Sequence, residues 1–132
     1  TSPKQDVEWM KSFMSIKDQL DFKFIFCLEG KCISTNLYWA MSSNSVCVMP
    51  KPKYESWFME GKLEDGIHYI EVKDDFSDAQ EKIEFYNNNN DKCLEIIQNA
   101  QKFVKQFKNA KQERLIQLLI LKQYFKSTGQ YE

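Results

Sequence analysis

The residues best suited to chemistry follow an apolar run, Phe24-Ile25-Phe26-Cys27-Leu28, that ends at Glu29-Gly30. After Lys31, the triplet Ser34-Thr35-Asn36 stands where a helix would begin. Side chains of this kind cap helices, and a helix start carries unsatisfied N–H donors and a partial positive charge. Such an arrangement suits a phosphate or diphosphate. Gly30 admits backbone conformations closed to other residues, and Lys31 adds a mobile positive charge. A carboxylate such as Glu29 or Glu60 could accept hydrogen bonds from a ribose diol. The bland alternative is an ordinary strand–turn–helix with ordinary caps, and spacing alone does not separate the two.

Other chemistries are excluded or weak. The only glycines are Gly30, Gly61, Gly66 and Gly129, which cannot form GxGxxG or GxxxxGK[ST], and GxSxG is also absent. Dinucleotide oxidoreductases, P-loop hydrolases and the usual esterase elbow are therefore disfavoured. His68 is the sole histidine, so a histidine-rich zinc site cannot be built within the chain. As a lone strand histidine it reads as structural. Asp74-Asp75 reads as an exposed acidic turn, with divalent-ion binding as the sharper alternative. Trp39, Trp57 and Phe58 read as core or interface residues, with sugar stacking as the alternative for Trp57. No residue stands out as a catalytic base.

These residues need elements to hold them. A continuous apolar run at 24–28 suggests a strand buried on both faces, as in a parallel sheet. Leu37 to Met41 reads as a helix, Val46 to Met49 as a second buried strand, and Pro50 and Pro52 stop it. Tyr54 to Glu60 reads as a short helix ending at Gly61, and Ile67 to Val72 as a third strand. Ser77 or Asp78 can cap a helix carrying Ala79, Ile83 and Tyr86. After a polar break at Asn87 to Asn90, a long helix presents Cys93, Ile96, Ile97, Ala100, Phe103, Val104 and Phe107. A last helix holds Leu115, Leu118, Leu119 and Ile120. At the start, Val7, Trp9, Met10, Phe13, Met14, Ile16 and Leu20 recur at helical spacing, with a break near Ser15. Strands alternating with helices imply an α/β fold, a small parallel sheet with helices on both faces. Ligands of such sheets bind beyond the carboxyl ends of the strands. Here that rim is formed by residues 29–36, 49–54 and 73–78.

Bulk properties agree with one folded domain: 132 residues, 42% hydrophobic, 14% aromatic, net charge −1. Near-neutral charge argues against non-specific nucleic-acid binding. Acids dominate between Glu55 and Glu84 and bases between Lys102 and Lys126. The basic stretch is either a solvated helical face or an edge that meets anionic lipid. Four cysteines without CxxC spacing suggest a reduced, cytoplasmic setting. No run is long and apolar enough to cross a membrane, and no signal peptide is visible. The chain opens Thr1-Ser2-Pro3 without an initiator Met, which reads as a sign of a missing N-terminal part.

The segment FIFCLEGKCISTNLYWAMSSNS, residues 24–45, resembles glycosyltransferase family 90, in particular its bacterial lipopolysaccharide-modifying members. The resemblance runs on through Pro50-Lys51-Pro52-Lys53, Tyr54-Glu55-Ser56-Trp57-Phe58-Met59-Glu60-Gly61, His68 to Val72, Asp74 to Asp78 and Glu81-Lys82-Ile83. It implies two facing Rossmann-like halves of the GT-B type, of which residues 1–132 would be the C-terminal, nucleotide-sugar-binding half. The catalytic carboxylate would then lie in the acceptor-side N-terminal half, absent from this chain, and the fragment alone would be inactive. The implied reaction moves a hexose from a UDP-sugar or similar donor to a lipopolysaccharide or other surface-glycan acceptor, with no metal or further cofactor. It would run in the cytoplasm, with peripheral contact at the anionic inner membrane. Carried over, Glu29, Gly30, Ser34, Thr35 and Asn36 look like the donor-site loop, and Lys31 and Glu60, nominated above on their chemistry, complete the expected donor site. Animal members usually show arginine where this chain has Asn36, so the helix N-terminus, Lys31 or a residue of the absent half would have to hold the diphosphate. The alternative of another class is a non-catalytic α/β nucleotide- or partner-binding module.

Overall fold

The structure, a computed structural model, describes residues 12–130. Its order is α1 (Ile16–Gln19), β1 (Phe24–Phe26), α2 (Leu37–Met41), β2 (Val46–Met49), a 3-10 turn (Glu60–Lys62), β3 (Ile70–Glu71), α3 (Ala79–Asn87), α4 (Asn90–Lys105), a second 3-10 turn (Gln106–Lys108) and α5 (Ala110–Ser127). The three strands form one parallel sheet in the order β1-β2-β3. Phe24 pairs with Val46, so β1 and β2 start side by side, whereas Ile70 pairs with Val48, so the short β3 runs beside only the second half of β2. Two further bonds extend the ladder toward the carboxyl rim: Cys27 N–H to Val48 O and Val72 N–H to Met49 O, both 3.0 Å.

Side-chain alternation splits the core into two layers. Ile25, Cys27, Cys47 and Met49 face α2, through Leu37, Ala40 and Met41, with Phe58 and Leu63 alongside. Val46, Val48, Ile70 and Val72 face α3 and the first half of α4, through Ala79, Cys93, Ile96 and Ile97. α4 serves both layers, since its later residues Ala100 and Val104 join the first. Helices on both faces of a small parallel sheet is thus the observed α/β architecture. All four cysteines are free thiols; Cys27, Cys47 and Cys93 are buried and Cys32 is exposed. Hydrogen bonding with Cys47, then burial, pushes the Cys27 thiol far above its ordinary value, as suits a neutral core residue.

Several expected elements differ. β2 is buried along its whole length, but β1 is an edge strand, and Phe26 and Leu28 beyond it are 41% and 49% exposed. The expected helix at 54–60 does not form. Ser56 donates its N–H and its hydroxyl to the Glu60 carboxylate, at 2.6 and 2.7 Å, which closes a turn instead. Met59 completes that turn at φ 57°, and Gly61 falls inside the 3-10 turn rather than ending a helix. The third strand shrinks to Ile70–Glu71 because Ile67 and His68 both donate their N–H to Glu64 O, in a turn that also uses Gly66 at φ 71°. α3 begins at Ala79, but neither Ser77 nor Asp78 caps it; Asp78 accepts the Lys73 N–H instead. Of the expected first helix, Val7, Trp9 and Met10 lie outside the described residues. Phe13 and Met14 are not helical, because Ser15 is the N-cap, its hydroxyl accepting the Asp18 N–H.

α5 is different in kind. None of its residues is buried, and Leu115, Leu118, Leu119 and Ile120 are half exposed or more. It is held at its start by the Asn109 side chain, which accepts the Gln112 N–H, and by Trp57, whose indole N–H donates to Glu113 at 2.6 Å. No helix among the described residues is long and apolar enough to cross a membrane.

Candidate functional site at the carboxyl rim of the sheet

A cleft of about 420 Å³ opens beyond the carboxyl ends of the strands. Its walls are three loops: Cys27 to Gly30 after β1, Met49 to Tyr54 after β2, and Asp74 and Phe76 after β3. Ser34, Leu37 and Glu60 complete the lining. The volume is in the range of small-molecule sites, and the position is the one expected of a parallel sheet.

The loop after β2 is built rigidly. Pro50 and Pro52 fix its backbone. The Glu29 carboxylate, delivered by β1, accepts the N–H of Lys53 at 3.0 Å and of Tyr54 at 3.2 Å. One carboxylate thus joins two strand ends. Across the mouth, Lys53 Nζ lies 2.9 Å from Asp74 Oδ1, with both side chains well exposed. Hydrogen bonding to Asp74 and its charge hold the Lys53 ammonium above its ordinary range. Asp75 does not share this role, since it accepts the Ser77 N–H and is held below the usual carboxylate range by that bond. No group of three potential metal ligands occurs among the described residues. Phe76 stands at φ 58°, a backbone state uncommon outside glycine. There its ring meets Phe26 edge-on at 6.3 Å.

The nominated residues are only partly assembled. Glu29, Gly30, Ser34 and Glu60 line the cleft. Gly30 does not use the left-handed region, and a Cβ placed on it would meet nothing within 4 Å. Its value is therefore open space at the cleft wall rather than unusual backbone. Thr35 lines a neighbouring depression of about 270 Å³, with Ile33, Tyr38, Trp57 and Phe107. Lys31 is exposed and lines neither space. Asn36 lines neither: its amide donates to Phe26 O at 2.9 Å, while Ser34 donates its hydroxyl to the Asn36 side chain at 2.6 Å. The expected capping is absent, because Asn36 is already helical in backbone and its side chain is committed to β1. With Leu37 N–H taken by Ser34 O, the start of α2 offers fewer open donors than the sequence suggested.

Glu60 is 3% exposed and both its oxygens accept from Ser56, so it props the wall between the cleft and the depression. His68 Nδ1 accepts the Glu64 N–H, and burial lowers its basicity; it is structural, as expected, though in a turn rather than a strand. Lys51, Lys53, Tyr54 and Phe76 were placed on the rim by segment but not singled out, and Asp74 was named only as half of an acidic pair. The alternation Pro50-Lys51-Pro52-Lys53 was the available signal, a stiff loop carrying two cations.

An open parallel α/β layer with a ligand-sized cleft at its carboxyl rim is the class that fold and site define. The model of glycosyl transferase family 90 matches residues 3–128, and the chain belongs to that family. It is 45% identical over 115 residues, 87% of its length, to "O-glucosyltransferase LpsA" of Dichelobacter nodosus. It is 34% identical over 94 residues, 66% of its length, to "Uncharacterized protein 179R" of Invertebrate iridescent virus 6. The chain spans 36% of the first relative and 8% of the second.

Proposed function

We propose that the cleft holds the nucleoside-diphosphate-sugar donor of a hexosyltransferase. Residues 1–132 would form the C-terminal, Rossmann-like half of a GT-B enzyme, and the acceptor-side half would lie elsewhere in a longer protein. One observation carries this reading: in a chain of family 90, Glu29, Gly30 and Ser34 converge on the one rim where parallel sheets bind ligands. Glu29 keeps lone pairs for a ribose diol after accepting its two backbone bonds. Glu60 would act by holding the wall. Lys31, Thr35 and Asn36 remain part of the proposed donor loop, reaching the ligand only at its exposed edge.

In the reaction the bond between the sugar's anomeric carbon and the diphosphate breaks, the acceptor hydroxyl oxygen bonds to that carbon, and the hydroxyl proton would pass to the carboxylate expected in the acceptor-side half. Charge develops on the departing diphosphate, and fixed donors and cations there favour the transition state. The scheme needs no further cofactor. The acceptor would be lipopolysaccharide or another surface glycan, in keeping with the similarity to the O-glucosyltransferase LpsA. The setting would be cytoplasmic, with the basic side of α5 meeting anionic lipid.

The test is an amide-shift titration of this chain with UDP, UDP-glucose and UDP-galactose. Shifts clustered on residues 28–36 and 49–54 are expected. Millimolar nucleotide that moves neither segment would leave the non-catalytic module as the better reading.

A further inference from the structure

The charged groups lining the cleft are three carboxylates, Glu29, Glu60 and Asp74, and two ammonium groups, Lys51 and Lys53. A diphosphate meets net negative charge there, so it needs close cations and carboxylates whose lone pairs are already engaged elsewhere. Two are engaged in this way. Glu29 accepts the N–H of Lys53 and Tyr54, and Glu60 is buried with both oxygens accepting from Ser56. The third, Asp74, is matched by Lys53 alone, in a pair whose side chains are 63% and 66% exposed. Exposed pairs of this kind are weak and easily exchanged.

No other cation of the described residues is better placed. Lys31 lies outside the lining. The chain's single arginine, Arg114, is on α5, away from the cleft. Asn36 is tied to Phe26 O. Meanwhile the loop that carries Lys51 and Lys53 is already ordered by two prolines and by Glu29, so binding need not order its backbone.

We propose that Lys53, seconded by Lys51, supplies the positive charge for the donor's diphosphate, and that Asp74 holds Lys53 at the cleft mouth until the ligand takes it. The inference rests on the donor reading above. Lys53 exchanges one charge-assisted hydrogen bond for another. Asp74, left unpaired near the diphosphate, opposes binding. A carboxylate lining the ligand's own site therefore weakens its affinity.

The experiment compares UDP with uridine by calorimetric titration of the chain and of its K51M/K53M and D74N variants. The altered side chains are all exposed, and thermal unfolding of each variant verifies that the fold is kept. In the parent chain UDP is expected to bind at least tenfold more tightly than uridine. K51M/K53M should lose about tenfold in UDP affinity, as expected for lost charge-assisted bonds, with uridine affinity unchanged. D74N should tighten UDP severalfold and leave uridine alone. Equal losses for both ligands in K51M/K53M, or no loss, would overturn the assignment of the lysines. Weaker UDP binding by D74N would overturn the competing role of Asp74. Uridine binding as tightly as UDP in the parent chain overturns this inference but spares the donor reading. Binding of neither ligand removes both.

Discussion

Two glutamates at the rim show what burial does to one kind of side chain. Glu29 is half-buried and fixes two backbone N–H groups of the loop after β2 while still facing the cleft. Glu60 is 3% exposed and spends both oxygens on Ser56. Their common assignment to ribose binding came from residue type, which carries no information on burial. Only the position of Glu29, at the end of an apolar run, was legible. Glu60→Ala strands the Ser56 N–H and hydroxyl in a part-buried turn. We expect it to cost about 1–3 kcal/mol of unfolding free energy in urea, whereas Glu60→Gln, which keeps one acceptor, should cost less. A loss below about 0.5 kcal/mol for the alanine variant would mean that Glu60 is not the prop.

At the scale of elements, α2 and β2 were legible to the residue, and α4 by its buried positions, because each is specified by apolar periodicity packed against the sheet. The segments that failed are those set by a single local hydrogen bond. Ser56 to Glu60 became a turn and 67–69 left β3, each because one acceptor outcompeted a regular ladder. The cap at Ser34-Thr35-Asn36 failed similarly, since Asn36 found Phe26 O ten residues back in the chain. Periodicity also placed α5, but could not reveal that none of its residues is buried. With no buried residue and one exposed bond from Trp57, α5 should add little to stability. A chain ending at Asn109 is expected to unfold within about 1 kcal/mol of the parent in urea. A larger loss would show that α5 holds the sheet layers together.

Across the whole molecule, acids gather from Glu55 to Glu84, into α3, and bases from Lys102 to Lys126, at the end of α4 and along α5. Lys111, Arg114, Lys122 and Lys126 fall on one side of a helix with 3.6 residues per turn. Leu115, Leu118 and Phe125 lie among them, each exposed. Bases interleaved with apolar groups suit an anionic lipid surface. Sedimentation with phosphatidylglycerol vesicles should exceed that with phosphatidylcholine vesicles and fall as salt rises. Equal binding to both would remove the membrane reading. The cysteines have a practical consequence at this scale. Cys27, Cys47 and Cys93 are closed inside the core, whereas Cys32 is exposed on the segment joining Gly30 to Ser34. A maleimide dye should therefore attach at one place without mutagenesis, beside the cleft wall, turning the native chain into its own fluorescent sensor of whatever enters.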